Sequence, residues 1–455
     1  NLITELPDRI NDYLEILKRI DNSYFFKDIN MYKDPFSSSE KIKLNQSVII
    51  DTIVTNIEKA QQKESYRDIF MTAPTGAGKS ILFQIPAIYT LEKYGLLTLV
   101  ISPLIGLMKD QVFNLKKMTK SVETINSEYT PYQKDDIKQR INNGEISILY
   151  ISPETLLSNS DIETLIGKRQ IGLMVIDEAH TVATWGKNFR PDYWYLGDYL
   201  YKLRNKGKYR FPIATFTATA TIGDKNDMYH DIIDSLKMTP TTFIGDVKRY
   251  NIKFDIRKHK KQLDYQQEKF DLVKSTLIKY ASKANEKTLV YFPYKSTLDD
   301  MYENLKQDGY QDKFNVYYGG LDKSIKDLSI SNLRQNEVPV VLATKAFGMG
   351  IDIKDINNVY HFAPTGNIAD YVQEIGRAAR DEKMIGIAST DYFEEDFRYI
   401  NQLYGMSQIR NYNITEVLKK ILFIYQQKKK RNFLISPEDF AFAFDSDNQD
   451  DIERK

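Results

Sequence analysis

The chain has no cysteine and only four histidines in 455 residues. That removes a disulfide framework and a thiolate-ligated zinc site, and four scattered imidazoles do not replace one. An excess of one charge is missing too: 63 Lys and Arg stand against 62 Asp and Glu, a net of +1. No global field advertises a polyanionic partner, so a nucleic-acid site has to be local. Long apolar runs are also absent. The longest, "LLTLVISPLIGLM" at 96–108, is broken by Thr98, Ser102 and Pro103 and is too short to span a bilayer. The expectation is a soluble protein of a reducing cytoplasm, with no zinc and no membrane. The opening at Asn1, without Met or a basic-then-apolar leader, reads as a trimmed or partial chain. The length suffices for two or three domains, each with its own core.

What is present is a repeated alternation. Short runs rich in Val, Ile, Leu and Tyr, namely "RDIFMTAP", "LLTLVISP", "ISILYISP", "IGLMVIDEA" and "FPIATFTATA", alternate with helical stretches, and a second series runs through "KTLVYFP", "KFNVYYGG", "VPVVLATKA", "INNVYHFAP" and "MIGIASTDYF". This is the pattern of βα units on a parallel sheet. We expect an α/β chain of two tandem domains: a helical extension over 1–45, a first domain over 46–245, a second over 246–398, and a helical extension with a mobile tail over 399–455. The last of these contains "ITEVLKKILFIYQQKKKR", an amphipathic helix ending in a basic run. That run, Lys428 to Arg431, is read as a solvated helix end in preference to a phosphate contact.

Three local patterns carry chemistry. "APTGAGKS" at 73–80 follows an expected strand and opens an expected helix, the context in which such a string is a phosphate loop. Thr75, Gly76, Ala77 and Gly78 let backbone N–H groups surround a phosphate. Lys79 reaches the β- and γ-phosphates, and the Ser80 hydroxyl is a ligand for Mg²⁺. "VIDEAH" ends another buried strand, where open parallel sheets place ligand-facing carboxylates. Asp177 is suited to hold Mg²⁺ through water, and Glu178 to take a proton from an attacking water. "QEIGRAARD" at 373–381 belongs to the second domain, on a helix expected to begin near Asn367. Arg377 and Arg380, three apart, are expected to share a helix face and address one anion. An arginine brought to a γ-phosphate in this way is worth about 10³ to 10⁵ in rate. Hydrolysis then requires the domains to close.

From residue 42 to about 392 the sequence resembles superfamily 2 helicases, and the RecQ family in particular. The motifs are "IKLNQ", "MTAPTGAGKSILFQIPAI", "VISPLIGLMKDQV", "LYISPETLL", "VIDEAHTVATWGKNFRPDYWYLG", "FTATAT", "VVLATKAFGMGIDI" and "YVQEIGRAARD". The resemblance implies two RecA-like domains with a nucleotide cleft between them, ATP and Mg²⁺ as cofactors, and 3′-to-5′ movement on single-stranded or tailed duplex DNA. It implies Gln46 as the nucleotide-sensing glutamine, with Lys43 beside it where an arginine is usual, Asp352 near the ribose or γ-phosphate, and Gln373 with the two arginines in the catalytic set. It makes Thr181 to Pro191 an aromatic loop that senses single-stranded DNA, with Trp185 and Phe189 as stacking rings and Arg190 as a phosphate or coupling contact. Stacking on an aromatic ring is worth about 1–3 kcal/mol per base and is indifferent to sequence. The competing reading buries both rings under the neighbouring helix. His180 is expected to bridge the acidic pair to Thr217–Thr219. Further strand contacts implied are Ser102, Pro103 and Leu104 in the first domain and Thr344, Lys345 and Phe347 in the second.

The chain also departs from that pattern. Ser37, Ser38 and Ser39, after Phe36, occupy the stretch where a ring for adenine is expected. Without cysteine the zinc module that usually follows the motor is not expected here, so protein partners are expected to supply accessory domains, and translocation is a safer expectation than unwinding. Two alternatives stand beside the helicase reading: a motor-like subunit that switches on DNA inside a larger assembly, for instance in defence against foreign DNA, and an RNA helicase.

Overall fold

Strand register in this protein is set by buried apolar runs, and they form two parallel sheets. The computed structural model describes residues 4–440 apart from 75, 104, 127–128, 159–161, 186–190, 206–208, 220–221, 223–226, 263, 284, 349–350, 352, 354, 367, 382, 401–410 and 430–439; of 183–185, 191–194, 369, 411–413 and 428 it describes the backbone alone. A two-stranded antiparallel ribbon comes first, β1 (Asp28–Tyr32) against β2 (Lys41–Asn45). The first large sheet holds β3 (Asp68–Thr72), β4 (Leu97–Ile101), β5 (Val122–Ile125), β6 (Ile148–Ile151), β7 (Ile171–Ile176), β8 (Ile213–Thr217) and β9 (Pro240–Ile244). Their spatial order is β5-β6-β4-β7-β8-β3-β9, every pair parallel. The second sheet holds β10 (Ile252–Lys258), β11 (Lys287–Tyr291), β12 (Phe314–Tyr317), β13 (Val340–Ala343), β14 (Ile356–His361) and β15 (Gly386–Tyr392), in the parallel order β10-β15-β14-β11-β13-β12. Helices cover both faces of each sheet, which is why β3, β4, β6, β7, β8, β11 and β13 are buried at every residue.

The N-terminal stretch corrects one expectation. Only Ile10–Lys18 is the helix that the apolar spacing implies there, and residues 28–45 form the ribbon instead. Nor does it stand apart from the first domain. Tyr13, Ile16, Leu17, Ile29, Met31 and Leu44 belong to the same apolar cluster as Ile49, Ile53 and Val54. Arg9 chelates Glu58 through two 2.8 Å hydrogen bonds, and the Tyr13 hydroxyl donates to Asp51 at 2.8 Å. At the other end, helix Asn411–Lys428 forms where the amphipathic pattern puts one. The tail from residue 441, expected to be mobile, lies outside the described residues. Among the described residues no helix is long and apolar enough to cross a membrane.

Candidate nucleotide and nucleic-acid site

β3 ends at Thr72, the chain turns, and helix Lys79–Tyr94 begins, so the string 73–80 lies at the carboxyl edge of the sheet. Gly76 (φ 90°) and Gly78 (φ 75°) adopt the left-handed backbone that this turn demands. A Cβ on Gly78 would sit 2.9 Å from Gln46 Nε2, so the glycine also makes room for a neighbour. Gln46 is 3% exposed, donates from Nε2 to the Ala77 carbonyl at 2.9 Å and accepts from the Lys27 N–H at 3.0 Å. Its contact is with the phosphate loop itself, which suits a residue that reports on that loop. Lys43 lies exposed on β2, and Thr75 lies outside the described residues. The Lys79 ammonium donates to the carbonyls of Ala73 (3.0 Å) and Pro74 (3.3 Å). Burial lowers its pKa, opposed by the nearby Glu178 and Asp177 and helped by Arg380.

β7 delivers the acidic pair to the same edge. Burial, and then neighbouring Glu178, push the Asp177 carboxyl up to about 7. Burial alone would raise Glu178 as well, but His180, Lys79 and Arg377 hold it below the usual carboxylate range. The two acids therefore divide their roles by environment. His180 Nδ1 lies 3.3 Å from Glu178 Oε2 and 3.2 Å from Thr217 Oγ1, and Thr217 Oγ1 donates to the Thr219 carbonyl at 2.9 Å. The expected bridge from the acidic pair to residues 217–219 is in place. The Ser80 hydroxyl and the Asp177 carboxylate are hard oxygen donors and fit Mg²⁺, whose remaining ligands are usually phosphate oxygens and water. Among the described residues no group of three or more His, Cys, Asp or Glu side chains could cage a metal by itself.

Two residues given no role in the sequence reading belong here. Gln111 Nε2 donates to Ser80 Oγ at 3.0 Å, and its Oε1 accepts from Gln84 Nε2 at 2.9 Å. Gln84 Nε2 also reaches the Tyr150 hydroxyl at 3.2 Å. Gln111 thus orients the Ser80 oxygen from the helix Ile105–Leu115, which comes directly after the Ser102–Leu104 segment. Its place within "VISPLIGLMKDQV" was the available signal.

The second domain brings its arginines to the cleft by a different route from the one expected. Helix Ile368–Ile375 carries Gln373 and stops at Ile375, so Arg377 and Arg380 do not share a helix face. They lie on a turn in which Ala379 has φ 45°. Both still converge, each directing Nη1 at the Ile351 carbonyl, at 3.3 and 3.4 Å. Arg377 is 4% exposed and its buried Nε has no hydrogen-bond partner among the described residues, an arrangement that favours an incoming anion. Arg377 acts electrostatically on Glu178, and Arg380 on Lys79, so the pair lies within electrostatic reach of the acidic pair and the phosphate-loop lysine. Asp352 lies outside the described residues.

The strand contacts fare unevenly. Ser102 is 1% exposed and Pro103 is buried, because they close the inner strand β4; their side chains are not surface contacts. Phe347 is fully buried, edge-on to Tyr317 with centroids 5.0 Å apart, so it is a core ring and not a stacking surface. Thr344 is half-buried, while Lys345 is exposed and pairs with Asp370 at 2.6 Å. The aromatic loop starts on helix His180–Trp185, where Thr181 Oγ1 donates to the Glu178 carbonyl at 2.9 Å. That bond ties the start of the loop to the acidic pair. The Trp185 side chain, Phe189, Arg190 and Leu104 lie outside the described residues.

Comparison with known proteins agrees with this geometry. The family described as DEAD/DEAH box helicase matches residues 45–228, and the helicase conserved C-terminal domain matches 268–382. The ATP-dependent DNA helicase RecQ of Haemophilus influenzae is 32% identical over 316 residues, 70% of this chain and 47% of that protein. The probable ATP-dependent DNA helicase RecS of Bacillus subtilis is 30% identical over 396 residues, 86% of this chain and 75% of that protein. Among solved structures, the DEAD-box helicase Mss116 bound to single-stranded RNA and UDP-BeF superimposes with a TM-score of 0.64 at 16% identity, over 89% of this chain and 76% of that one, a likeness of fold. The chain spans less than half the length of several curated relatives that it matches. Two RecA-like domains, a phosphate loop facing paired arginines, and a relative matched along three quarters of its length place this chain in the RecQ family of superfamily 2 helicases.

Proposed function

We propose that the chain is an ATP-dependent DNA helicase or translocase that moves 3′ to 5′ along single-stranded DNA. The observation that carries this reading is the cleft, with Lys79, Asp177 and Glu178 on one wall and Arg377 and Arg380 on the other, close enough to act on one another electrostatically. The phosphate loop and Lys79 bind the triphosphate, Glu178 orients and deprotonates the attacking water, and the arginines meet the charge that develops on the γ-phosphoryl group. Mg²⁺, held by Ser80 and Asp177, would neutralise phosphate charge. Binding closes the domains on the nucleotide, and hydrolysis releases them, so alternate gripping of a strand by each domain gives steps. Exposed Lys345 contributes to the grip in the second domain.

The DNA preference draws support from the named relatives, which are DNA helicases. Steady-state ATPase assays without polymer, with single-stranded DNA and with RNA test it. Stimulation by DNA and not by RNA is expected, and the reverse would overturn the substrate. Strand displacement on 3′-tailed and 5′-tailed duplexes tests polarity in the same preparation, with the 3′ tail expected to be the productive one. A second reading is a DNA-sensing switch within a larger assembly. It predicts DNA-stimulated hydrolysis without strand displacement until a partner is added.

A further inference from the structure

The turn that carries the two arginines does not rest on its own conformational preference. Ala379, at φ 45°, lies in the left-handed region where a side chain with a Cβ is strained and glycine is not. Such residues persist where the surroundings over-determine them. Here the Ala379 N–H donates to the Ile356 carbonyl of β14 at 2.8 Å, and two side chains from the segment between the sheets take the carbonyls of the turn. Arg249 donates from Nη1 to the Gly376 carbonyl at 3.3 Å and from Nη2 to those of Ala378 (3.1 Å) and Ala379 (2.5 Å). Its Nε is taken by Asn251 Oδ1 at 3.1 Å. Asn251 Nδ2 in turn donates to the carbonyls of Ala379 at 2.9 Å and Met384 at 3.1 Å. These carbonyls bracket Arg377 and Arg380 in sequence, just past the end of helix Ile368–Ile375.

The same segment is fixed to the first domain at its other end. The Gly245 N–H donates to the Thr72 carbonyl at 2.9 Å, the Asp246 N–H donates to the Asn30 carbonyl at 2.8 Å, and the Asp246 carboxylate pairs with Lys41 at 2.7 Å. Thr72 is the last residue of the strand that leads into the phosphate loop. Only Val247 and Lys248 separate the two anchorages.

We propose that Arg249, supported by Asn251, is a positioning residue for hydrolysis: it holds the left-handed turn that aims Arg377 and Arg380, and it ties that aim to the strand ahead of the phosphate loop. This rests on the ATPase reading above. A loosely tethered linker would let the arginines drift as the domains move. A linker pinned at both ends makes their approach to the phosphates a function of domain closure.

Three variants test it. Arg249→Ala is expected to lower the DNA-stimulated kcat by about ten- to a hundredfold, the scale of a small misplacement of catalytic groups, and to leave the KM for ATP within about twofold. Ala379→Gly alone is expected to change little. Combined with Arg249→Ala it should restore most of the lost rate, because glycine adopts φ 45° without help. Hydrogen exchange across residues 374–384 should quicken in Arg249→Ala and slow again in the double variant, whatever the rate of hydrolysis. Unchanged kcat in Arg249→Ala, or a double variant as impaired as the single, overturns the proposal. If the alanine variant does not fold, Arg249→Lys applies the same test, since a single ammonium cannot reproduce the fork. Wild-type protein that shows no DNA-stimulated hydrolysis would sink the ATPase reading instead, and the exchange measurement would still decide whether Arg249 holds the turn.

Discussion

Glu178 sits at φ 49°, a backbone conformation unfavourable for glutamate, and it is kept there by bonds on both sides. Its N–H donates to Asp177 Oδ1 at 2.9 Å, and its carbonyl accepts from the Thr181 hydroxyl at 2.9 Å. Its carboxylate lies 3.3 Å from His180 Nδ1. Glu178→Gln keeps size and shape and removes the proton acceptor. Hydrolysis should fall by about 10²- to 10⁴-fold, the usual worth of a positioned base, with nucleotide affinity retained. Turnover assays alongside fluorescent-nucleotide binding separate the two effects, and a variant that keeps most of its turnover would remove Glu178 from the role. At this scale the sequence is legible where chemistry is contiguous. The phosphate loop and the acidic pair are strings whose geometry comes from one strand end and one turn. The arginines are legible in identity but not in placement, because the helix stops at Ile375 and long-range bonds from Arg249 and Asn251 shape the turn beyond it. Phe347 misleads for a related reason: a motif position does not say which way a ring points, and here it points into the core.

At the scale of elements, the inner strands announce themselves, while of the outer ones only β12, in "KFNVYYGG", does so. Inner strands such as β4 and β7 are buried on both faces and so read as continuous apolar runs. β10 is an edge strand exposed at every residue but its first, and its sequence "IKFDIRK" carries the polarity of a surface segment. β5 and β9 close the two edges of the first sheet and are likewise absent from the apolar runs that the sequence displays. The ribbon β1–β2 is hidden because only Ile29, Met31 and Leu44 of its ten residues are buried. One buried carboxylate holds several of these elements together. Asp68, at the start of β3 and 3% exposed, accepts from Arg204 at 2.7 Å, from the Ile213 N–H at 2.8 Å and from the Thr239 N–H at 2.9 Å. It thereby pins the beginnings of β3, β8 and β9. Asp68→Ala strands a mostly buried guanidinium and two backbone donors, and should destabilise the first domain by about 3 kcal/mol. Denaturant-dependent hydrogen exchange in β3 and β8 reads that loss directly. A change within about 0.5 kcal/mol would mean that the staple contributes no more than an ordinary surface residue.

For the molecule as a whole, the near-zero net charge moves the burden of anion recognition to the cleft between the domains. There burial lowers the Lys79 pKa, and the positive charge of Arg380 adds to that effect. An anion placed between them relieves both, so nucleotide is expected to draw the domains together and to raise the unfolding temperature. The contributions of the two walls differ by phosphate. The loop at 76–80 belongs to the first domain and should bind a diphosphate unaided, whereas the buried Arg377 Nε is expected to gain an anionic partner only when a γ-phosphate reaches across. ADP with Mg²⁺ should therefore stabilise wild type and Arg377→Ala alike, by about 2.7 kcal/mol at a hundredfold excess over Kd. A non-hydrolysable triphosphate should add to this in wild type and add nothing in Arg377→Ala. Thermal unfolding at the same free concentration of each nucleotide measures both increments, since the difference then reports the ratio of the two Kd values. If the diphosphate and triphosphate stabilise wild type equally, or if the variant keeps the difference, the second domain does not reach the γ-phosphate, and movement along DNA loses its link to hydrolysis.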